Sequence, residues 1–252
     1  MEEQEAHTGN DAVVTIDKLN LSFGDNHVLR DFSMDLHNGE NLVVIGKSGS
    51  GKSVLIKCIV RLIQPDSGTI TVLGQDVTTL DRHALDVLRR KIGFLFQSDA
   101  LYDSMTVREN LEFPLRTDAE QKSTEEKLEL VKEALSNVGL EKTIDQYPAE
   151  LSGGMKKRIS LARTLILKPE IILYDEPTTG LDSVTGAEIS ELMVEVQEKY
   201  KTSSIIISHD LNCARITSDR VAVLIDGKCH AIAPFEELSK SDDPKVKQFF
   251  HQ

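Results

Sequence analysis

The stretch Asn41-Leu42-Val43-Val44-Ile45-Gly46-Lys47-Ser48-Gly49-Ser50-Gly51-Lys52-Ser53-Val54 decides the fold. Its first six residues form a continuous run of strand length ending in glycine, which predicts a strand buried on both faces. From that Gly46, the eight residues to Ser53 fit G-x-x-x-x-G-K-[ST], and a helical stretch over 51–63 follows. Glycines without Cβ let backbone N–H groups wrap a phosphate, while the positive end of the following helix faces the anion. Lys52 is then placed for the β- and γ-phosphates of a nucleotide, and the Ser53 hydroxyl for Mg²⁺. The bland alternative is a Gly-rich turn with no ligand; the strand before it and the helix after it argue against that.

Working outward, strand alternation starts at Val13 (Val14, Ile16, Leu19, Leu21, Phe23), and further strands are predicted at 68–73 and 92–96. Residues 98–168 lose strand character and carry helices over 124–137 and from Ser152 onward. Strands return at 171–174, 203–208 and 220–225, with an amphipathic helix over 183–199 whose Ile189, Leu192, Met193 and Val196 share one face. A turn at Asp226-Gly227 leads into a short strand over 228–233. Strands alternating with helices predict an α/β fold, a mostly parallel sheet covered on both faces and split by a helical insertion. Past Pro234 come a helical stretch over 235–238, a polar break, and a segment from Pro244 in which Val246, Phe249 and Phe250 fall on one helical face. So short a helix needs something to dock on. The expected dock is a neighbouring subunit, with the chain's own core as the alternative.

Two more stretches carry chemistry. Ile171-Ile172-Leu173-Tyr174-Asp175-Glu176 delivers adjacent carboxylates to the C-terminal end of a buried strand, where open α/β sheets bind ligands. Asp175 is expected to hold Mg²⁺ and Glu176 to orient or deprotonate the attacking water; alone, such a pair is a weak signal. Leu151-Ser152-Gly153-Gly154-Met155 opens a helix, and its Ser-Gly-Gly is a second anion-binding terminus. Two phosphate-binding helix ends with one nucleotide loop predict a two-fold dimer. Each nucleotide would lie between the loop of one copy and the Ser-Gly-Gly of the other.

With these motifs in this order, the chain resembles the ABC ATPase family from about Val13 to Ala233. The resemblance implies a P-loop NTPase fold of ABC type, with N-terminal antiparallel strands added to the mostly parallel core. It implies a domain over 12–240, with core at 12–97 and 169–240, a helical subdomain at 98–168, a disordered start at 1–11 and a tail at 241–252. The cofactors implied are ATP and Mg²⁺. Nucleotide contacts are implied for Phe23 (stacking on adenine), Gly46, Lys47, Ser48, Gly49, Ser50, Gly51, Lys52, Ser53, Val54, Ser152, Gly153, Gly154 and Asp182. Catalytic roles fall to Glu176, His209, Gln97 and Lys52, with Ser53, Gln97 and Asp175 at the metal. Met155 departs from the glutamine usual at that position, but it leaves the phosphate contacts intact.

Within the family, the resemblance runs to the ATPase subunits of Mla/Mce-type phospholipid transporters. It is carried by Phe96-Gln97-Ser98-Asp99-Ala100-Leu101-Tyr102-Asp103-Ser104-Met105-Thr106-Val107, by Phe113-Pro114-Leu115-Arg116, by Met155 and by the tail from Asp243. It implies a second copy of the chain, multi-pass permease subunits, a lipid-binding substrate protein and a small cytoplasmic accessory subunit. It places the chain on the cytoplasmic side of a bacterial inner membrane. Leu101, Tyr102 and Phe113 are the candidate permease anchors. An amino acid or other small solute is the alternative cargo. A soluble family member working on ribosomes or DNA, or a non-hydrolysing binding module, fits the motif spacing and carboxylates less well.

Composition agrees with these expectations. A formal charge of −12 over 252 residues disfavours nucleic acid and anionic lipid surfaces. Lys156, Lys157 and Arg158 are expected to form a solvated face. Cys58, Cys213 and Cys229 fit neither a disulfide framework nor zinc spacing and suggest a reducing compartment. The acidic start has no signal-peptide pattern.

Overall fold

The structure, a computed structural model, describes residues 12–97, 100–117 and 122–250. The predicted disorder of 1–11 lies outside these residues, as do Ser98 and Asp99. Six strands form the central sheet in the order β10-β9-β3-β8-β7-β6. They are β3 (Asn41–Gly46), β6 (Ile92–Leu95), β7 (Ile171–Asp175), β8 (Ser203–Ile207), β9 (Arg220–Ile225) and β10 (Lys228–Ala233). All pair in parallel except the β9–β10 hairpin. A second, antiparallel sheet in the order β2-β1-β4-β5 comprises β1 (Ala12–Phe23), β2 (Asn26–His37), β4 (Ser67–Val72) and β5 (Gln75–Asp76).

The unbroken apolar strands feed two cores, because successive side chains leave opposite faces of a sheet. Leu42, Val44, Ile205 and Ile207 pack toward the antiparallel sheet and helix α1 (Lys52–Ile59). Val43, Ile45, Ile172 and Ile206 pack toward α5 (Gly153–Leu165) and α6 (Ser183–Tyr200), whose Ile189, Leu192, Met193 and Val196 are all buried as predicted. Between β6 and α5 the regular elements among the described residues are all helical, with α3 (Val107–Glu112) and α4 (Thr124–Ser136) each opened by a full capping box. Short helices α2 (Arg82–Arg89), α7 (Leu211–Thr217), α8 (Phe235–Ser239) and α9 (Pro244–Phe250) complete the chain. No helix among the described residues is long and apolar enough to cross a membrane.

Three expectations need correction. The helix predicted over 51–63 stops at Ile59: Arg61 turns left-handed (φ 48°), with its N–H on Cys58 O and the Leu62 N–H on Lys57 O. This is a Schellman stop built on an arginine instead of a glycine. The guanidinium holds the Val77 and Leu80 carbonyls, so a tertiary contact selects the conformation.

The basic cluster on α5 is not a solvated face. Lys157 is 3% exposed with its ammonium on Gln97 O, and Arg158 pairs with Glu188 of α6 at 2.8 Å. Its helix lies between β6 and α6, leaving little room for a solvent side.

The tail docks in cis. Val246 is 1% exposed, Phe249 and Phe250 pack on the core beside Leu238, and the Phe250 ring meets Phe235 edge-on at 5.3 Å. Asp243, at the start of α9, pairs with His230 of β10 at 2.8 Å. Truncation after Asp243 is therefore expected to lower the melting temperature of the isolated chain by roughly 5–10 °C, since burial worth ~2–3 kcal/mol goes with it. A calorimetric scan showing no shift would return the tail to a neighbouring subunit.

Candidate functional site

The site gathers at the C-terminal edge of β3, β7 and β8, where the parallel register sets the strand ends side by side. The Gly46–Ser53 loop of the sequence leaves β3 and enters α1 through Gly51, at φ 103°. A Cβ there would lie 2.7 Å from Val28 Cγ1, so both conformation and space demand glycine. Lys47, Ser48 and Gly49 are exposed, while Ser50 folds inward. The Ser50 hydroxyl is buried with no hydrogen-bond partner among the described residues, the mark of a site shaped for a ligand acceptor. The Ser53 and Val54 N–H groups lie in the first turn of α1, where no intrahelical carbonyl is available to them. Val54 is otherwise a packing residue, its side chain set against the core.

Lys52 is 6% exposed, with its ammonium on Gly46 O at 2.9 Å and Lys47 O at 3.2 Å, and 3.7 Å from Glu176. Burial lowers its pKa below the usual lysine value, opposed by the Glu176 and Asp175 carboxylates. Ser53 donates to Asp175 Oδ1 at 2.7 Å across 122 positions of sequence. That hydroxyl–carboxylate pair suits Mg²⁺, which would draw its remaining ligands from phosphates and water. Among the described residues no cluster of three acidic, His or Cys side chains competes as a metal site.

Glu176 follows β7 with φ 52°, a left-handed turn unusual outside glycine and common at functional sites. Its N–H holds Ile207 O of β8, and its carboxylate meets His209 Nδ1 at 2.7 Å and accepts from Thr179 Oγ1 at 3.2 Å. Sequence reasoning passed over Thr179, as it did Thr178, whose hydroxyl reaches Asp210 at 3.1 Å and ties the β7 and β8 ends together. No periodicity signals such contacts.

Phe23 ends β1 at 51% exposure, so its ring is not part of the core. Gln97 is exposed just past edge strand β6. Ser152, Gly153 and Gly154 sit at the start of α5, with the Ser152 hydroxyl accepting from Met155 N at 3.3 Å. Among the described residues they make no hydrogen bond to the loop cluster. The two glycines differ: a Cβ on Gly154 would strike Thr185 Cγ2 at 2.6 Å, whereas one on Gly153 makes ordinary contact with Leu181 at 3.7 Å. Gly154 is thus required by packing on α6, and Gly153 is the exposed one. Asp182 caps α6, accepting from Val184 N, Thr185 N and Thr185 Oγ1. Those bonds, the Thr185 N–H first, lower its pKa. Of the anchors, Tyr102 is 43% exposed with its ring 4.8 Å from that of Phe113, whereas Leu101 packs against the core.

A strand–glycine loop–helix whose lysine and serine meet the adjacent carboxylates Glu176 and Asp175 marks a nucleoside triphosphatase. The ABC transporter family pattern matches residues 29–179. The chain is 37% identical over 238 residues to a probable ribonucleotide transport ATP-binding protein of Mycobacterium leprae, covering 94% of this chain and 68% of that one. It is 41% identical over 205 residues to a methionine import ATP-binding protein of Cupriavidus metallidurans, covering 81% of this chain and 59% of that one. The chain thus spans about three fifths to two thirds of the length of these relatives. A solved dimeric ATP-binding cassette bound to ADP and Pi superimposes with a TM-score of 0.80 at 32% identity, covering 88% of this chain and 98% of that one. The cbiO1 protein of Clostridium perfringens, part of an ABC transporter complex, gives 0.84 at 29% identity over 91% of each chain. The chain belongs to the ABC transporter family, as its ATP-hydrolysing subunit.

Proposed function

We propose that two copies of this chain close around two ATP–Mg²⁺ and so drive a separate multi-pass permease that moves phospholipid between the inner and outer membranes. The observation that carries the motor is the loop cluster: Lys52, Ser53, Asp175, Glu176 and His209, joined within 3.7 Å steps. Ser50 and Ser53 fit the phosphates and the metal, Phe23 the adenine, and Gln97 the metal and its water. Ser152, Gly153 and Asp182, which make no hydrogen bond to this cluster among the described residues, serve the nucleotide of the second copy. Exposed Tyr102, with half-buried Phe113 beside it, offers the permease an aromatic pair.

The cargo reading is supported by the Mla/Mce-like run from Phe96 to Val107, by Met155 and by the tail. It implies a lipid-binding substrate protein and an accessory subunit, at the cytoplasmic face of the inner membrane. The methionine import relatives favour a small solute as the second reading. The assembled transporter, purified with its permease, is expected to retain phospholipid in native mass spectrometry and to release it to acceptor vesicles on ATP addition. Methionine-stimulated hydrolysis with no lipid transfer would decide for the small solute.

A further inference from the structure

We propose that the C-terminal helix α9 completes the nucleotide site, Lys245 holding the ribose and α-phosphate end of the nucleotide from outside the glycine loop. This rests on the reading of residues 46–53 as the nucleotide loop. A cavity of about 590 Å³ opens beside that loop, a volume within the range of small-molecule sites. Residues 47–50 form one side, the start of β2 a second and the β9–β10 turn a third; Lys245, Gln248 and Phe249 of α9 close it. Its lining carries the cations Arg30, Lys47 and Lys245 against the single carboxylate Asp226. That balance favours an anion, in a chain whose formal charge is −12.

Sheet order sets the direction. The terminal phosphate must lie by Lys52, Asp175 and Glu176, toward β7, two strands from β3 on one side. The cavity lies on the other side, along the end of β9, next to β3. A nucleotide laid over the loop therefore runs its ribose end into the cavity. The base then continues toward Phe23, whose register partner Asn26 also lines the cavity. The helix is pinned at this edge by buried Val246 and by the His230–Asp243 pair, so Lys245 is presented by an anchored element.

Lys245→Glu in the full chain is the test, with titration calorimetry of ATP and of ADP. Lys245 is exposed, so the substitution leaves the melting temperature in place. Reversing a solvent-edge charge at this range is expected to weaken both nucleotides equally, by about three- to tenfold, less so at high salt. Lys245→Arg should restore affinity, which separates charge from helix packing. Parental affinity in Lys245→Glu, with Lys52→Ala unable to bind, overturns the proposal and spares the loop. An effect on ATP but not ADP overturns the placement at the ribose end. Parental affinity in Lys52→Ala removes the loop reading and this one together.

Discussion

Glu176→Gln is expected to keep ATP bound and to slow hydrolysis by on the order of 100-fold or more, the scale of a missing general base. The substitution keeps shape and removes charge and basicity. Thr179 Oγ1, now 3.2 Å from Glu176 Oε2, can still donate to an amide oxygen, so the left-handed turn after β7 should survive. What goes is the buried carboxylate that pairs with both Lys52 and His209. With hydrolysis blocked, the ATP-bound pair of chains has no route apart except slow dissociation, so the variant should elute as a dimer when ATP is present. Phosphate release and size exclusion measure the two halves of this expectation. Turnover near the parental rate would reduce Glu176 to a solvated strand-end acid.

Lys52→Ala is expected to weaken ATP by about 100-fold or more, because two charge-assisted hydrogen bonds at about 1.5–3 kcal/mol each are lost. In the structure the ammonium holds the Gly46 and Lys47 carbonyls, and it is the side-chain cation that reaches Glu176. The direction of its pKa shift says which property suffers. Burial disfavours the charged form more than Glu176 and Asp175 favour it, so the fold carries this charge at a cost. Removing it should therefore cost affinity far more than melting temperature. Calorimetric titration beside a thermal scan reads both, and parental affinity would disprove the role of the loop.

The chemistry was legible from sequence wherever one short stretch of backbone builds it. The loop at Gly46–Ser53, the carboxylates after β7 and the Ser-Gly-Gly start of α5 need only a strand, a turn and a helix end in order. Strand β2 was missed although Phe32, Met34 and Leu36 alternate into the core, because the left-handed Asp31 interrupts its pattern. Helix α2 was missed despite the Asp81 cap, its run being only eight residues long.

By itself the sequence determined the family and the α/β class, and it singled out the glycine loop and the carboxylates after β7, since local steric and hydrogen-bonding rules act through neighbours in the chain. Tertiary structure decided what depends on partners far away. Ser53 meets Asp175 and Glu176 meets His209 because parallel pairing aligns the ends of β3, β7 and β8. Arg61 ends α1 because two carbonyls from a later loop hold it, and Lys157 is buried because β6 and α6 flank its helix. The tail shows the division most plainly. Its apolar face was readable from spacing alone, but an apolar face specifies only that something must cover it. The chain's own core beside α8 does so, bringing Lys245 to the edge of the nucleotide loop.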